Sequence, residues 1–379
     1  MLRRPTFAKF CLTRKGLFDI IIMYTFLTAR RENMKSNKAM MPQIVGNTKL
    51  REHICLNILK NSLPHACIIE GAKGTGKHTI ALMAAAALGC QQADNTNMPI
   101  PCGECDSCLK ILERKSPDVI IVGSEGKASI GVDAVRFLKE DVHKSPNDLD
   151  YKIYIIEDAD KMTVQAQNAL LLTLEEPPAY VRFFLLCESA NALLETIRSR
   201  APIFRTEPIS TDDIDKYICA VDKRAAQMKL SSPSDYKKLL VASGNGIGRA
   251  LELLEPKTFS PMLENMKLAE SFIELAVNKR PHREAFPVLS QFSAKRDQLK
   301  IQLTLLSDGI RDLIATKECE TAPLRFYGDQ DKAVELCDRT TLNTLFNLYN
   351  AVDTAIEENS RNANVRLMMI KLFSNADMI

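Results

Sequence analysis

The chain has 379 residues, of which 46% are hydrophobic and 26% charged. That length exceeds what one hydrophobic core serves, so two or three domains are expected, and the composition excludes a disordered or fibrous chain. The net charge of +3 is uneven: residues 1–41 carry nine Lys/Arg against Asp19 and Glu32, a net +7, which leaves −4 for everything after them. A protein that grips nucleic acid unaided usually shows a basic excess, and this remainder shows none, so any DNA contact is expected to be shared with partners. Eleven cysteines, with no evident secretion signal and no run of about 18 apolar residues, point to a reducing, cytoplasmic setting and away from a membrane.

In chain order, residues 16–29 form an apolar run that is interrupted by Asp19 and too short to span a bilayer comfortably. It reads either as a targeting segment or as the product of a mis-assigned start, with initiation at Met40 or Met41. Residues 1–41 are therefore set apart as a basic extension. Residues 50–59 show helical spacing, and Ala66-Cys67-Ile68-Ile69 suits a buried parallel strand. A glycine-rich turn follows, and residues 79–88, rich in Ala and Leu, favour a helix. Further buried strands are expected at 119–122, 153–156 and 183–187, with helical segments between them. This alternation predicts a parallel sheet covered on both faces by helices.

Beyond Pro208 the pattern becomes helical, over residues 212–228, 235–243, 249–254, 261–278, 298–317 and 341–374. The predicted organisation is a sheet domain over 42–208, a small helical domain over 209–262 and a larger all-helical domain over 263–379.

The turn Gly71-Ala72-Lys73-Gly74-Thr75-Gly76-Lys77 is a phosphate-loop signature in the strand, loop and helix context that gives it meaning. Gly71, Gly74 and Gly76 let backbone N–H groups face phosphate oxygens, the next helix presents its positive end, and Lys77 reaches the terminal phosphates. The full motif places Ser or Thr after the lysine to hold Mg²⁺. Here that position is His78, a poor partner for a hard ion, and Thr79 comes one residue late. Either the loop still takes nucleotide, with ATP and Mg²⁺ bound weakly, or it is a retained turn with little turnover.

The partner element should be an apolar strand ending in an acid that holds Mg²⁺, followed by a glutamate that activates water. The chain supplies Ile153-Tyr154-Ile155-Ile156-Glu157-Asp158, both acids in exchanged order. Shortening the second side chain by one methylene moves a general base by about 1.5 Å, and a shift on the order of 1 Å can cost ~10²-fold. Two solvated acids at a strand end are the alternative.

Cys90, Cys102, Cys105 and Cys108 form a C-x11-C-x2-C-x2-C cluster directly behind the loop helix, with Gly103 allowing a tight turn. Four thiolates favour Zn²⁺ in a closed structural site; an iron–sulfur cluster and free thiols are the other readings.

With these motifs in place, the chain resembles the bacterial DNA polymerase III clamp-loader subunits of the AAA+ class, from about residue 44 to 208 and more weakly beyond. The resemblance is carried by Pro64-His65-Ala66, the phosphate loop, the inserted cysteines and Ser116-Pro117-Asp118. It continues through Ala159-Asp160-Lys161-Met162, Asn168-Ala169-Leu170-Leu171, Leu174-Glu175-Glu176-Pro177-Pro178 and Thr196-Ile197-Arg198-Ser199-Arg200. It implies an AAA+ α/β domain with an inserted zinc knuckle at 90–108, a small helical lid and an all-α collar that assembles into a pentamer. In such loaders a Ser-Arg-Cys motif sends its arginine into a neighbour's ATP site as a finger; the chain reads Ser199-Arg200-Ala201, keeping the arginine and losing the cysteine.

Within the family, gamma/tau motors carry an intact loop and a sensor arginine. The matching segment here, Asn245-Gly246-Ile247-Gly248-Arg249-Ala250-Leu251, puts Gly248 at the sensor position and Arg249 about 100° further around a helix. Another sensor position, usually Thr in the motors, coincides with Cys187 or Glu188. Together with His78 and the exchanged acids, this makes the chain similar to the delta-prime type, a stator that donates a finger and is a weak ATPase at most. The implied partners are gamma/tau and delta subunits, the sliding clamp and primer-template DNA. A gamma/tau-type motor, a stand-alone zinc-dependent DNA-binding protein and an unrelated structural AAA+ adaptor are the competing readings.

Overall fold

The computed structural model describes residues 39–42, 44–124, 129–278, 287–361 and 363–375; all but the last three residues of the basic extension lie outside the described residues. The chain divides into two compact units, residues 1–213 and 214–379.

In the first unit five parallel strands are described: β1 (Ala66–Glu70), β2 (Val119–Val122), β3 (Lys152–Ile156), β4 (Val181–Cys187) and β5 (Ile203–Arg205). They lie in the order β2-β3-β4-β1-β5. Because side chains alternate across a strand, each one feeds two cores. Cys67 and Ile69 of β1, Ile153 and Ile155 of β3, and Phe184 and Leu186 of β4 pack with the helices Thr48–Leu59, Lys77–Leu88 and Asp106–Leu112. Ala66 and Ile68, Tyr154 and Ile156, and Phe183 and Leu185 pack on the other face with Val132–Asp141 and Val164–Glu175. Tyr154 stacks on Phe183 with ring centroids 5.1 Å apart. Two-sided burial explains why these strands read as unbroken apolar runs rather than as alternating ones.

The predicted strands at 66–69, 119–122, 153–156 and 183–187 are all present. Strand β5 is not among the sequence expectations: three residues following Pro202 are too few to show a period, and only pairing with β1 defines them. Ahead of the first helix, Met41 is fully buried and its N–H donates to Ile100 O (2.7 Å), so described backbone begins pinned to the segment carrying the cysteines.

The order places β4 between β1 and β3. The carboxyl ends of these three strands therefore stand side by side, bringing the loop after β1, Cys187 and Glu188 at the end of β4, and Glu157 and Asp158 after β3 to one edge of the sheet. Open parallel sheets bind ligands at that edge.

The second unit is helical among the described residues: Lys223–Ser231, Pro233–Ala242, Ile247–Leu253, Pro256–Val277, Arg296–Glu318, Gln330–Asp338, Leu342–Ser360 and Val365–Asn375. The helix Thr211–Val221 leads into it. Its core gathers Phe272, Ile273, Leu303, Leu306, Ile310, Leu345 and Val352, and a Cβ on Gly309 would come within 2.6 Å of Ile273, so two long helices approach closely there. Two helical stretches differ from expectation. Residues 212–228 are two helices, because the Asp222 carboxylate accepts the Arg224 N–H (2.9 Å) and caps a new start. The helix expected from residue 261 starts at Pro256 and carries Pro261 inside it; a proline reads as a helix start, but here an earlier proline already fills that place. The same helix runs across residue 262.

Candidate nucleotide site, cysteine centre and exposed arginine

The loop after β1 is held from several sides. Gly74 (φ 86°) and Gly76 (φ 87°) adopt left-handed backbone, which glycine takes without strain. A side chain at Gly71 would meet Thr206 Oγ1 at 1.8 Å, and that hydroxyl donates to Thr75 Oγ1 (2.9 Å). Buried Asn47 spans the loop and the chain after β5, its Nδ2 donating to Thr75 O (3.4 Å) and its Oδ1 accepting from Glu207 N (2.6 Å). The Glu70 carboxylate at the end of β1 accepts from Ala190 N (2.9 Å) and Arg205 Nε (2.7 Å). Asn47, Glu70 and Thr206 are absent from the sequence reading, because their partners lie many tens of residues away and leave no local pattern.

Lys77 opens the helix Lys77–Leu88, and its Nζ donates to Gly71 O (2.5 Å) and Ala72 O (2.9 Å). Burial lowers its pKa, opposed by the negative potential of Glu188 and neighbouring groups. His78, next in the helix, places Nε2 2.7 Å from Glu157 Oε1. Burial pushes the Glu157 carboxyl up, but the hydrogen bond and charge of His78 outweigh it and hold it below the usual range. Asp158 takes a left-handed conformation (φ 52°) and its Oδ2 accepts from Ser124 Oγ (2.9 Å) and Lys161 Nζ (3.0 Å). The two acids thus have separate partners. Thr79 sits one residue further round the helix.

The four cysteines converge. Cys90 follows the loop helix, Cys102 precedes Gly103 (φ 75°), Cys105 caps the helix Asp106–Leu112, and Cys108 lies one turn inside it. All four Sγ atoms lie within 4.8 Å of one another, and those of Cys102 and Cys108 are 3.9 Å apart. Four sulfurs about 2.3 Å from one tetrahedral ion stand about 3.8 Å from each other, so the donor set and spacing fit zinc. Hydrogen bonds favour a thiolate at Cys90, chiefly from Cys108, and the same pairing raises Cys108. The backbone amides of Cys102 and Cys105 also point at sulfurs, to Cys90 and Cys102 (3.4 Å each), which suits a centre carrying negative charge.

Arg200 stands exposed just past the short helix Glu195–Arg198. Its Nη2 is 2.8 Å from Glu175 Oε1 and its Nη1 donates to Thr196 O (2.9 Å), while Ser199 Oγ also donates to Thr196 O (3.0 Å). None of these partners belongs to the chain's own phosphate loop. The surface pair is worth about 0–1 kcal/mol, little enough for the guanidinium to exchange one anion for another. Buried Gln167 sets the preceding segment: its Nε2 donates to Ala192 O (3.3 Å) and its Oε1 accepts from Leu194 N (2.8 Å). In the second unit Arg249 pairs with Glu252 on its own helix (3.2 Å), one residue after Gly248.

Sheet order, glycine loop and cysteine cluster together define an α/β protein with a phosphate-loop-type turn and an inserted four-cysteine centre whose spacing fits a metal. Residues 46–210 match the family described as "DNA polymerase III, delta subunit". The chain is 26% identical over 264 residues to DNA polymerase III subunit gamma of Buchnera aphidicola subsp. Schizaphis graminum, covering 69% of each. It is 32% identical to subunit delta' of Bacillus subtilis over 54% of this chain and 58% of that one, and 30% identical to subunit tau of the same species over 56% and 36%. Several of these matches thus span little more than half, or less, of the relative's length. Among solved structures, a gamma subunit-related protein from Thermotoga maritima aligns over 86% of this chain and 98% of its own, at 18% identity and TM-score 0.44. The family match takes in residues 46–210, a little under half of the chain, and the likeness is to delta-type and gamma/tau subunits of DNA polymerase III. No helix among the described residues is long and apolar enough to cross a membrane.

Proposed function

We propose that the chain is a delta-prime-type stator of the bacterial replicative clamp loader. In this reading Arg200, with Ser199 beside it, completes the ATP site of an adjacent gamma/tau motor, and the chain itself turns over little or no ATP. The partners would be gamma/tau and delta subunits, the sliding clamp, and primer-template DNA held by the assembled complex in the cytoplasm. Residues 209–262 would form the lid and 263–379 the collar, and Cys90, Cys102, Cys105 and Cys108 would hold a structural zinc.

The observation that carries the reading is the direct contact of His78 with Glu157 (2.7 Å): both positions from which a motor would hold Mg²⁺ are spent on each other. Gly248 at the sensor position, and Arg249 turned to Glu252, point the same way. The rival reading, a gamma/tau-type motor, draws on the likeness to gamma and tau subunits and on the retained Lys77. ATP turnover by the purified chain separates them. A stator gives no turnover above background; robust hydrolysis abolished by Lys77→Ala would establish a motor instead.

A further inference from the structure

The phosphate loop is more intact than the hydrolytic machinery around it. Gly74 and Gly76 keep their left-handed turns, Asn47 and Thr206 brace the loop, and Lys77 remains at the head of a twelve-residue helix. A divalent ion in such a loop is held between a hydroxyl beside the lysine and an acid at the end of β3, usually through water. Even adjacent ligands of an octahedral Mg²⁺ stand about 2.9 Å apart, and a ligand reached through water stands further off. Here the two side chains at those positions are 2.7 Å apart, nitrogen to oxygen.

That contact sets the imidazole Nε2 directly against the carboxylate, in the space an ion between the two would need. Gly123 leaves room for Glu157 in this position: a side chain there would begin 3.1 Å from its Oε2. Asp158 faces other partners, its Oδ2 accepting from Ser124 and Lys161. Mg²⁺ therefore does not fit these residues, whereas backbone amides and Lys77 still fit phosphate oxygens.

We infer that this loop binds the phosphates of a nucleoside triphosphate without a divalent ion, the His78–Glu157 pair standing where the ion would otherwise lie. The inference concerns the chain's own loop and is independent of the role of Arg200.

The test is calorimetric titration of the full chain with ATP, in buffer containing Mg²⁺ and in buffer containing EDTA. The expected result is a dissociation constant that differs by less than about threefold between the two, and that Lys77→Ala raises at least about tenfold in both. His78→Thr, which restores a hydroxyl and releases Glu157, is expected to make Mg²⁺ tighten binding by about tenfold or more. A wild-type affinity that falls more than about threefold in EDTA, or no ATP binding in either buffer, would overturn the inference. So would a His78→Thr variant that stays indifferent to Mg²⁺.

Discussion

Single residues show how motif letters become physical constraints. Ser116-Pro117-Asp118 is visible in the sequence as a motif, but its reason is visible only in three dimensions. Asp118 is fully buried, and its carboxylate accepts the N–H groups of Asn147, Asp148 and Leu149 (2.7–2.9 Å), fixing the chain that enters β3. Burial pushes the Asp118 carboxyl up, yet these bonds outweigh it and leave its pKa below the ordinary value. A folded-state pKa below the unfolded value near 3.9 gives stability that is complete above about pH 5 and lost as the pH falls through the folded value. Asp118→Asn is expected to cost about 2–4 kcal/mol in denaturant unfolding at pH 7 and to flatten that acid-side decline. A variant as stable as the parent at pH 7 would contradict this role. The sequence also carried the loop glycines, Lys77 and Arg200, whereas Asn47, Glu70, Thr206 and Gln167 act through contacts between distant segments that no local pattern records.

At the scale of elements, buried parallel strands were legible because two-sided burial writes an unbroken apolar run, and the loop helix because its Ala and Leu content favours nothing else. What escaped was set by pairing or by competing signals: β5 exists through β1, and Asp222 outbids the amphipathic period around it by capping a new helix. The cysteine knuckle was legible from spacing alone, and the chain folds its sulfurs to within 4.8 Å. It joins the end of the loop helix to the helix Asp106–Leu112, so a metal held there would be part of the core around Ala86, whose carbonyl meets Cys108 Sγ (3.6 Å). Protein purified anaerobically is expected to contain about one zinc per chain, and Cys108→Ser to lose the metal and unfold at lower temperature. Metal-free wild-type protein with unchanged stability would refute a structural zinc centre.

For the whole molecule, the sequence divides at the change from strand-like runs to helical periods, and the structure gives two compact units meeting at residues 213 and 214. The sheet unit carries a phosphate loop, a knuckle and an outward arginine that none of the loop's own residues engages. A side chain that serves a neighbour leaves no trace of its target in its own fold, so the sequence motif remains the strongest pointer to that role. The measurement that tests it most directly is DNA-stimulated ATPase of a clamp loader reconstituted with this chain, wild type against Arg200→Ala. The stator account predicts normal assembly by gel filtration with hydrolysis and clamp loading reduced, since arginine fingers contribute on the order of 10³–10⁵ at the site they serve. Full ATPase and clamp loading by the Arg200→Ala complex would contradict it.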